Sequence, residues 1–182
     1  MKKVFVVLFA MLLSMPAFNA LALGDDGQLD RGFRGFVNVT TNFGIGSHTR
    51  DNYQLQCGFT GGYQINSRLF VGGGIDPTLN LNAYHNDDVD AKFLLPVFSA
   101  IRFDVLDKQF TPFVEGRVGY YVDTDITDRS DLYFYAGTGV RMSRASLSVG
   151  YTYYGQEGNF YDGREDKWEA GSYVGLKFAF EF

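Results

Sequence analysis

Carboxylates spaced closely enough to share a metal ion occur in one acidic stretch of the chain. Asp123, Asp125 and Asp128 stand at intervals that a hard divalent cation could use, because such ions prefer carboxylate oxygens. The stretch lacks the central glycine and the distal glutamate of an EF-hand loop. A solvated acidic loop is therefore the favoured interpretation, with a cation site as a weak alternative. No cofactor is expected.

Acid–base chemistry would depend on the two histidines of the chain, His48 and His85. Ser47 adjoins His48, but neighbouring side chains on an extended chain point apart, so the two form a poor nucleophile–base pair. Asp87 and Asp88 follow His85. Hydrolytic or acyl-transfer chemistry is kept as an alternative, and histidines in solvated loops are the favoured interpretation.

Most of the chain around these residues alternates between apolar and polar side chains with a period of two, which is typical of β-strands. Eight segments show this pattern: 35–45, 53–65, 68–76, 93–105, 110–121, 132–142, 145–154 and 167–182. Short turns and longer loops connect them alternately, so all the short turns lie at one end. An even number of antiparallel strands joined in this way predicts an all-β, eight-stranded up-and-down barrel, whose closure leaves no exposed sheet edge.

Prolines interrupt this pattern at two points. The predicted loop between the third and fourth segments begins at Pro77 and runs to residue 91. Pro96 lies inside the fourth segment, where it cannot donate a hydrogen bond to a neighbouring strand. We therefore expect a β-bulge at Pro96.

The distribution of glycine indicates which face of the barrel points inward. Most glycines of the eight segments share the face of the polar residues: Gly58, Gly62, Gly72, Gly74, Gly119, Gly137, Gly139, Gly150, Gly171 and Gly175. Glycine relieves crowding, and the interior of an eight-stranded barrel is just wide enough for side chains. The polar face is thus predicted to line the interior and the apolar face to point outward, the reverse of a soluble barrel such as a lipocalin.

Charges on the polar face are few and balanced, which suits an enclosed ionic network better than a solvated surface. The basic members are Arg102, Arg117, Arg141 and Lys177, and the acidic members are Asp104, Glu115, Glu169 and Glu181. A two-residue turn at 107–108 would pair Leu106 with Gln109. In that register Arg102 and Glu115 are diagonal neighbours, and we expect their side chains to be coupled.

The last segment is apolar on one face up to the chain end, with Phe178, Phe180 and Phe182 in that stripe. Such a stripe would favour aggregation in water, whereas a lipid bilayer selects it. No apolar stretch after residue 22 is long enough for a membrane-spanning helix. The chain is therefore predicted to cross a membrane as a transmembrane β-barrel.

The first 22 residues have the layout of a cleaved signal peptide. Two lysines precede an apolar run over residues 4–13, and the sequence Ala-Leu-Ala at 20–22 matches a small-residue cleavage site. The predicted division of the chain is a signal peptide at 1–22 and a barrel domain at 23–182.

Composition argues against other classes of protein. A net charge of −5 without a basic run argues against nucleic-acid binding. Aromatic residues make up 17% of the chain and glycine 22 of its 182 residues, a mixture that suits packed strands better than helices. The single Cys57 has no partner for an internal disulfide.

Two motifs resemble those of bacterial outer-membrane barrels. The terminal stretch YVGLKFAFEF (173–182) resembles their C-terminal signature, and TPFVEG (111–116), followed by Gly119 and Tyr120, resembles the fifth strand of small OmpA-like and OmpX-like barrels. In layout the resemblance covers residues 23–182. OmpA itself carries a peptidoglycan-binding domain after its barrel. This chain stops at Phe182, so peptidoglycan anchoring is not carried over.

The resemblance implies an integral protein of the outer membrane of a Gram-negative bacterium, exported by the Sec pathway. Its surroundings would be outer-membrane lipid and lipopolysaccharide, with both chain termini in the periplasm and the long loops outside. It further implies that Phe178, Phe180 and Phe182 belong to the signal that the barrel-assembly machinery reads.

The function predicted on this basis is non-enzymatic: a structural role, or adhesion and other contacts made through the loops. The alternatives are a narrow pore, and an enzyme that modifies lipid A acyl chains or cleaves peptides. Eight strands enclose too little space for a wide aqueous channel. The sequence names no external ligand.

Overall fold

The computed structural model describes residues 31–45, 52–82, 90–123, 130–155 and 171–182, so the predicted signal peptide lies outside it. Period-two alternation gives strands throughout these ranges. They are β1 (Gly32–Gly44), β2 (Asn52–Gln64), β3 (Leu69–Ile75), β4 (Thr78–Asn82), β5 (Asp90–Asp104), β6 (Phe110–Asp123), β7 (Ser130–Met142), β8 (Ala145–Tyr154) and β9 (Gly171–Glu181). Within the same ranges, no helix is long and apolar enough to cross a membrane.

The strands close into one antiparallel barrel. Neighbouring strands in sequence pair with each other, except that β3 and β4 both pair with β2 and with β5. Strand β9 returns to pair with β1 from Phe36 opposite Glu181 to Gly44 opposite Tyr173. Strands β3 and β4 keep one register against β2 and one against β5, so together they form a single barrel strand interrupted at residues 76–77. The prediction of an eight-stranded up-and-down barrel is confirmed.

The predicted loop at 77–91 is wrong at both ends, because β4 occupies residues 78–82 and β5 already begins at Asp90. Pro77 interrupts the strand without ending it. Its carbonyl oxygen still accepts a hydrogen bond from the Cys57 N–H at 3.0 Å, and the chain resumes the same register one residue later. The sequence pattern placed the strand end at the proline because it could not show that the register continues.

The predicted bulge at Pro96 is also wrong. The pairing of β5 with β6 runs without a break through Pro96, which lies opposite Tyr121. On its other side, the Pro96 carbonyl accepts a hydrogen bond from the Asp76 N–H at 3.0 Å. Pro96 has no N–H to return to the Asp76 carbonyl, and the Thr78 hydroxyl donates to that oxygen instead at 2.7 Å. The missing donor is thus replaced locally, and no extra residue is needed.

The two faces of the wall differ as predicted. Large apolar side chains point outward and are exposed on every barrel strand, among them Val39, Leu55, Val71, Ile101, Val118, Phe134, Val149 and Phe178. The alternate positions point inward and are buried, and many of them are polar or charged. An apolar outside around a polar inside is the arrangement of a membrane barrel.

Inward glycines make room for aromatic rings in the narrow interior. The Tyr135 ring lies over Gly137 and Gly150, and a Cβ atom at either glycine would overlap it. The Phe70 ring lies in the same way over Gly62 and Gly72, where an added Cβ would come within 2.7 Å of its Cζ. The glycines of the polar face therefore provide the space that the large inward rings occupy.

We predict that Gly150→Ala destabilises the folded barrel by about 1–3 kcal/mol, because the new methyl group overlaps Tyr135. The matched control is Gly116→Ala on the outer face, where the nearest atom to the new Cβ is Ile101 Cγ2 at 3.7 Å. Denaturant unfolding in detergent micelles measures both changes. Similar costs for the two variants would show that the interior is not closely packed at Tyr135.

Candidate functional site

The inward side chains form three groups stacked along the barrel. The turn-end cluster lies nearest the short turns and consists of Arg34, Arg102, Asp104, Arg141 and Glu181. The central cluster consists of Asp76, Glu115, Arg117 and Lys177. The tyrosine cluster lies nearest the long loops and consists of Tyr121, Tyr133, Tyr154 and Tyr173. All nine charged side chains are at most 8% exposed.

In the turn-end cluster, Asp104 joins two arginines. Its Oδ1 lies 3.2 Å from Arg102 Nε, and its Oδ2 lies 3.3 Å from Arg141 Nε. Arg34 Nη1 pairs separately with Glu181 Oε1 at 2.9 Å, across the seam between β1 and β9. The Arg102 guanidinium also stacks on the Phe113 ring, with its Cζ 3.7 Å from the ring centroid.

In the central cluster, Glu115 Oε1 accepts hydrogen bonds from Arg117 Nε and Lys177 Nζ, each at 2.6 Å. Arg117 Nη1 also pairs with Asp76 Oδ2. Asn38 Nδ2 donates to the other Asp76 oxygen at 3.1 Å. Two carboxylates thus meet two cations, so the cluster is formally neutral. The cluster and Asn38 thus join four barrel strands: β1, the strand formed by β3 and β4, β6 and β9.

The tyrosine cluster fills the loop end of the lumen. The Tyr154 ring packs against Tyr121, Tyr133 and Tyr173 at centroid distances of 5.1, 5.5 and 5.8 Å. Its hydroxyl accepts a hydrogen bond from Gln56 Nε2 at 2.6 Å.

Little free space is left in the lumen between the described residues. The tyrosine rings fill its loop end, and the ion pairs of the other two clusters fill its centre and its turn end. One internal cavity, between the turn-end and central clusters, has a volume of about 10 Å³, near the space needed for a single water molecule.

The structure places every residue of the predicted interior network inside the barrel. Arg102, Asp104, Arg141 and Glu181 lie in the turn-end cluster, and Glu115, Arg117 and Lys177 lie in the central cluster. Glu169 of the polar face lies outside the described residues.

Sequence reasoning missed two members of these clusters, Arg34 and Asp76. The first predicted segment began one residue after Arg34, although alternation extended toward the N-terminus puts Arg34 on the face of Asn38. Asp76 was placed at the end of the third segment, on the face of Gly74, but was not counted among the interior charges. Assigning alternate residues of each strand to the inner face, from end to end, would have found both.

The predicted register at the turn near residue 107 requires correction. Arg102 lies directly opposite Glu115 rather than diagonal to it. The turn is longer than two residues because the Thr111 hydroxyl accepts a hydrogen bond from the Leu106 N–H at 2.8 Å, and the first ladder bond joins Val105 to Pro112. The ion pairs connect Arg102 to Asp104 and Glu115 to Arg117 and Lys177, so Arg102 and Glu115 face each other without forming an ion pair of their own.

The predicted assembly-signal residues lie on β9 and at its end. Phe178 and Phe180 are exposed on the outer face. The Phe182 ring lies over Gly35 and stacks on Phe59 with a centroid distance of 6.1 Å. The Phe182 N–H donates to the Gly35 carbonyl at 3.0 Å, which extends the β1–β9 seam by one residue.

The remaining candidates lie mostly outside the described residues. Asp123 ends β6, whereas Asp125, Asp128, His48 and His85 fall in the ranges that the structure does not describe. Among the described residues, no group of three histidine, cysteine or acidic side chains is arranged to hold a metal ion.

Solved structures with the same fold are membrane barrels. The outer membrane enzyme PagL aligns with a TM-score of 0.55 at 13% identity, covering 80% of this chain and 98% of PagL. Neisserial surface protein A (NspA) aligns with a TM-score of 0.54 at 14% identity, covering 84% of this chain and 99% of NspA. A de novo designed transmembrane β-barrel aligns with a TM-score of 0.51 at 17% identity, covering 85% and 99%.

These likenesses establish the fold of the chain, which is that of the small, eight-stranded outer-membrane β-barrels. No family model and no curated protein sequence matches the chain.

We predict that Glu115 and Lys177 are energetically coupled. Glu115→Gln alone should cost about 3–5 kcal/mol, because it leaves buried cations without their carboxylate. Lys177→Met in the same chain should add much less than it costs alone. A double-mutant cycle, read from denaturant unfolding in detergent, measures the coupling.

The control cycle combines Lys177→Met with Glu181→Gln. Glu181 lies on the same strand but four residues away, about 13 Å along β9, and its ion pair is with Arg34. These two changes should be additive. Additivity in the Glu115 cycle as well would contradict the central cluster as described.

Proposed function

We propose that this protein is a non-enzymatic integral barrel of a bacterial outer membrane, with a structural role or a role in adhesion through its loops. The filled lumen is the observation that carries this proposal. Among the described residues, ion pairs in two clusters and a layer of tyrosines fill the lumen, and the cavity of about 10 Å³ between the charged clusters is too small for a sizeable ligand. Contact with partners then falls to the segments that connect the strands.

The location proposed is the outer membrane of a Gram-negative bacterium, reached by Sec export. Its supports are the apolar outer face and the fold shared with outer-membrane barrels. Outer-membrane lipid and lipopolysaccharide would then surround the wall, and the barrel-assembly machinery would insert it, with Phe178, Phe180 and Phe182 as the signal. In this orientation the chain ends and short turns face the periplasm.

The outward loops would present acidic side chains. The sequence places Asp87, Asp88, Asp125, Asp128 and Glu165 among others in these segments. An acidic rim suits a surface bathed in the divalent cations that bridge lipopolysaccharide, and a dedicated cation site at 123–128 remains the weaker alternative.

A pore is the first competing function, and the filled lumen opposes it. An enzyme is the second. PagL is an enzyme of the outer membrane, but a shared fold does not carry activity from one barrel to another. A protein-dependent change in lipid A acylation that disappears in His48→Ala or His85→Ala would replace the proposal with an enzymatic one.

We predict that the purified barrel in planar lipid bilayers shows no steady conductance at neutral pH. The central cluster and the tyrosine cluster both lie across the path that ions would take. The control is Tyr133→Ala combined with Tyr154→Ala, which removes two buried rings from the loop end and should raise the frequency of current steps. Large, steady currents through the unchanged protein would contradict the proposed scaffold role.

A further inference from the structure

Each short turn of the barrel carries one basic side chain, and these three are called the basic turn residues. Arg68 precedes β3 in the turn after β2, Lys108 lies in the turn between β5 and β6, and Arg144 lies in the turn between β7 and β8. Arg68 and Lys108 are exposed, and Arg144 is half-buried. Within the described part of the chain none of the three pairs with a carboxylate, whereas every cation of the lumen does.

Little negative charge accompanies the basic turn residues. The three turns contain one acidic residue, Asp107, which is half-buried and whose Oδ1 is buried. The seam between β1 and β9 has charges of both signs nearby, because Asp25, Asp26 and Asp30 precede the exposed Arg31 in the sequence. The positive excess at this end of the barrel therefore lies on the three turns.

The longer connections at the other end have the opposite charge. Residues 45–51, 83–89, 124–129 and 155–170 contain ten acidic and four basic residues. The whole chain is also acidic, with a net charge of −5. Positive turns on an acidic protein favour an anionic partner that is met at this end alone.

The basic turn residues adjoin the apolar outer wall. Exposed apolar side chains stand within three residues of each of them: Ile65, Leu106, Phe110 and Met142. Lysine and arginine lay their aliphatic stems along such a surface and keep their charge in a polar layer beside it. This arrangement fits the boundary between lipid chains and headgroups.

The distribution of the three turns distinguishes a surrounding layer from a partner seated on one side. Because β3 and β4 form one barrel strand, the turns follow one another around the rim at intervals of two strands. A continuous anionic layer around the barrel meets all three basic turn residues at once. A globular partner on one side would meet only part of them.

We propose that the turn end of the barrel binds anionic phospholipids, with Arg68, Lys108 and Arg144 each donating to the phosphate of a lipid beside its own turn. This inference rests on the proposed membrane location. In the proposed orientation, the lipids belong to the periplasmic leaflet. The bound headgroups would hold the short turns at the membrane surface.

The test places the folded barrel in lipid nanodiscs made of equal parts phosphatidylglycerol and phosphatidylcholine with identical acyl chains. Native mass spectrometry then identifies the lipids that stay on the protein when the disc is stripped away. A lysine or arginine near an anionic lipid surface favours binding by a factor of about five. The retained lipids should therefore be enriched several-fold in phosphatidylglycerol over the disc composition.

Two triple variants of equal charge locate the effect. Arg68→Gln with Lys108→Gln and Arg144→Gln should abolish the enrichment. The matched control, Arg50→Gln with Arg129→Gln and Arg164→Gln, removes the same charge from the longer connections and should keep it. An equal loss in both would show that net charge alone matters and would overturn the proposed site.

A smaller comparison covers the case in which the turn variant does not fold. Lys108→Gln should then lower the enrichment more than Arg129→Gln does, and equal enrichment in these two would also overturn the site. A wild-type barrel that enters the nanodiscs but retains both lipids equally would overturn this inference alone. A chain that does not enter them would contradict the proposed membrane location and the inference with it.

Discussion

The narrowness of an eight-stranded barrel is the constraint on which the rest of this structure depends. Closure of β1 against β9 encloses a lumen only wide enough for side chains, so any residue that points inward is buried. Buried charges therefore need partners of opposite charge, and large rings need glycines beside them in order to fit. The ion pairs around Asp104 and Glu115, and the glycines beneath Tyr135 and Phe70, are two responses to this one constraint.

The same alternation that fills the lumen fixes the outer face. Each inward residue is followed by an outward one, so a strand with Lys177 and Ala179 inside must present Leu176, Phe178 and Phe180 outside. This wall is suited to a lipid environment, and its interior is already occupied by its own side chains. In the proposed function, contact with other molecules is therefore assigned to the connecting segments.

Much of the fold could be predicted from the sequence because the face on which a strand residue lies, inner or outer, is a local property. The face of each residue follows from counting along its strand, and this placed Arg102, Arg117 and Lys177 correctly in the interior. Register is not local. It depends on turn details such as the Thr111 hydroxyl at Leu106, and on pairing that continues past Pro77 and Pro96. The specific ion-pair partners follow from register, so they could not be read from the sequence. The candidates at Asp125, Asp128, His48 and His85 lie in segments without periodicity, where neither alternation nor register applies.

Cysteine accessibility in lipid bilayers tests the account most directly, because the central claim joins a lipid-facing wall to a filled interior. With Cys57→Ala as background, single changes at two adjacent pairs, Val39→Cys or Thr40→Cys and Leu147→Cys or Ser148→Cys, sample both faces of β1 and β8. Each variant is treated with a membrane-soluble and with a water-soluble maleimide. The account predicts that the outward positions react only with the membrane-soluble maleimide and that the inward positions react with neither. Rapid reaction of the inward positions with a water-soluble maleimide would contradict it, since this would reveal an open, aqueous lumen.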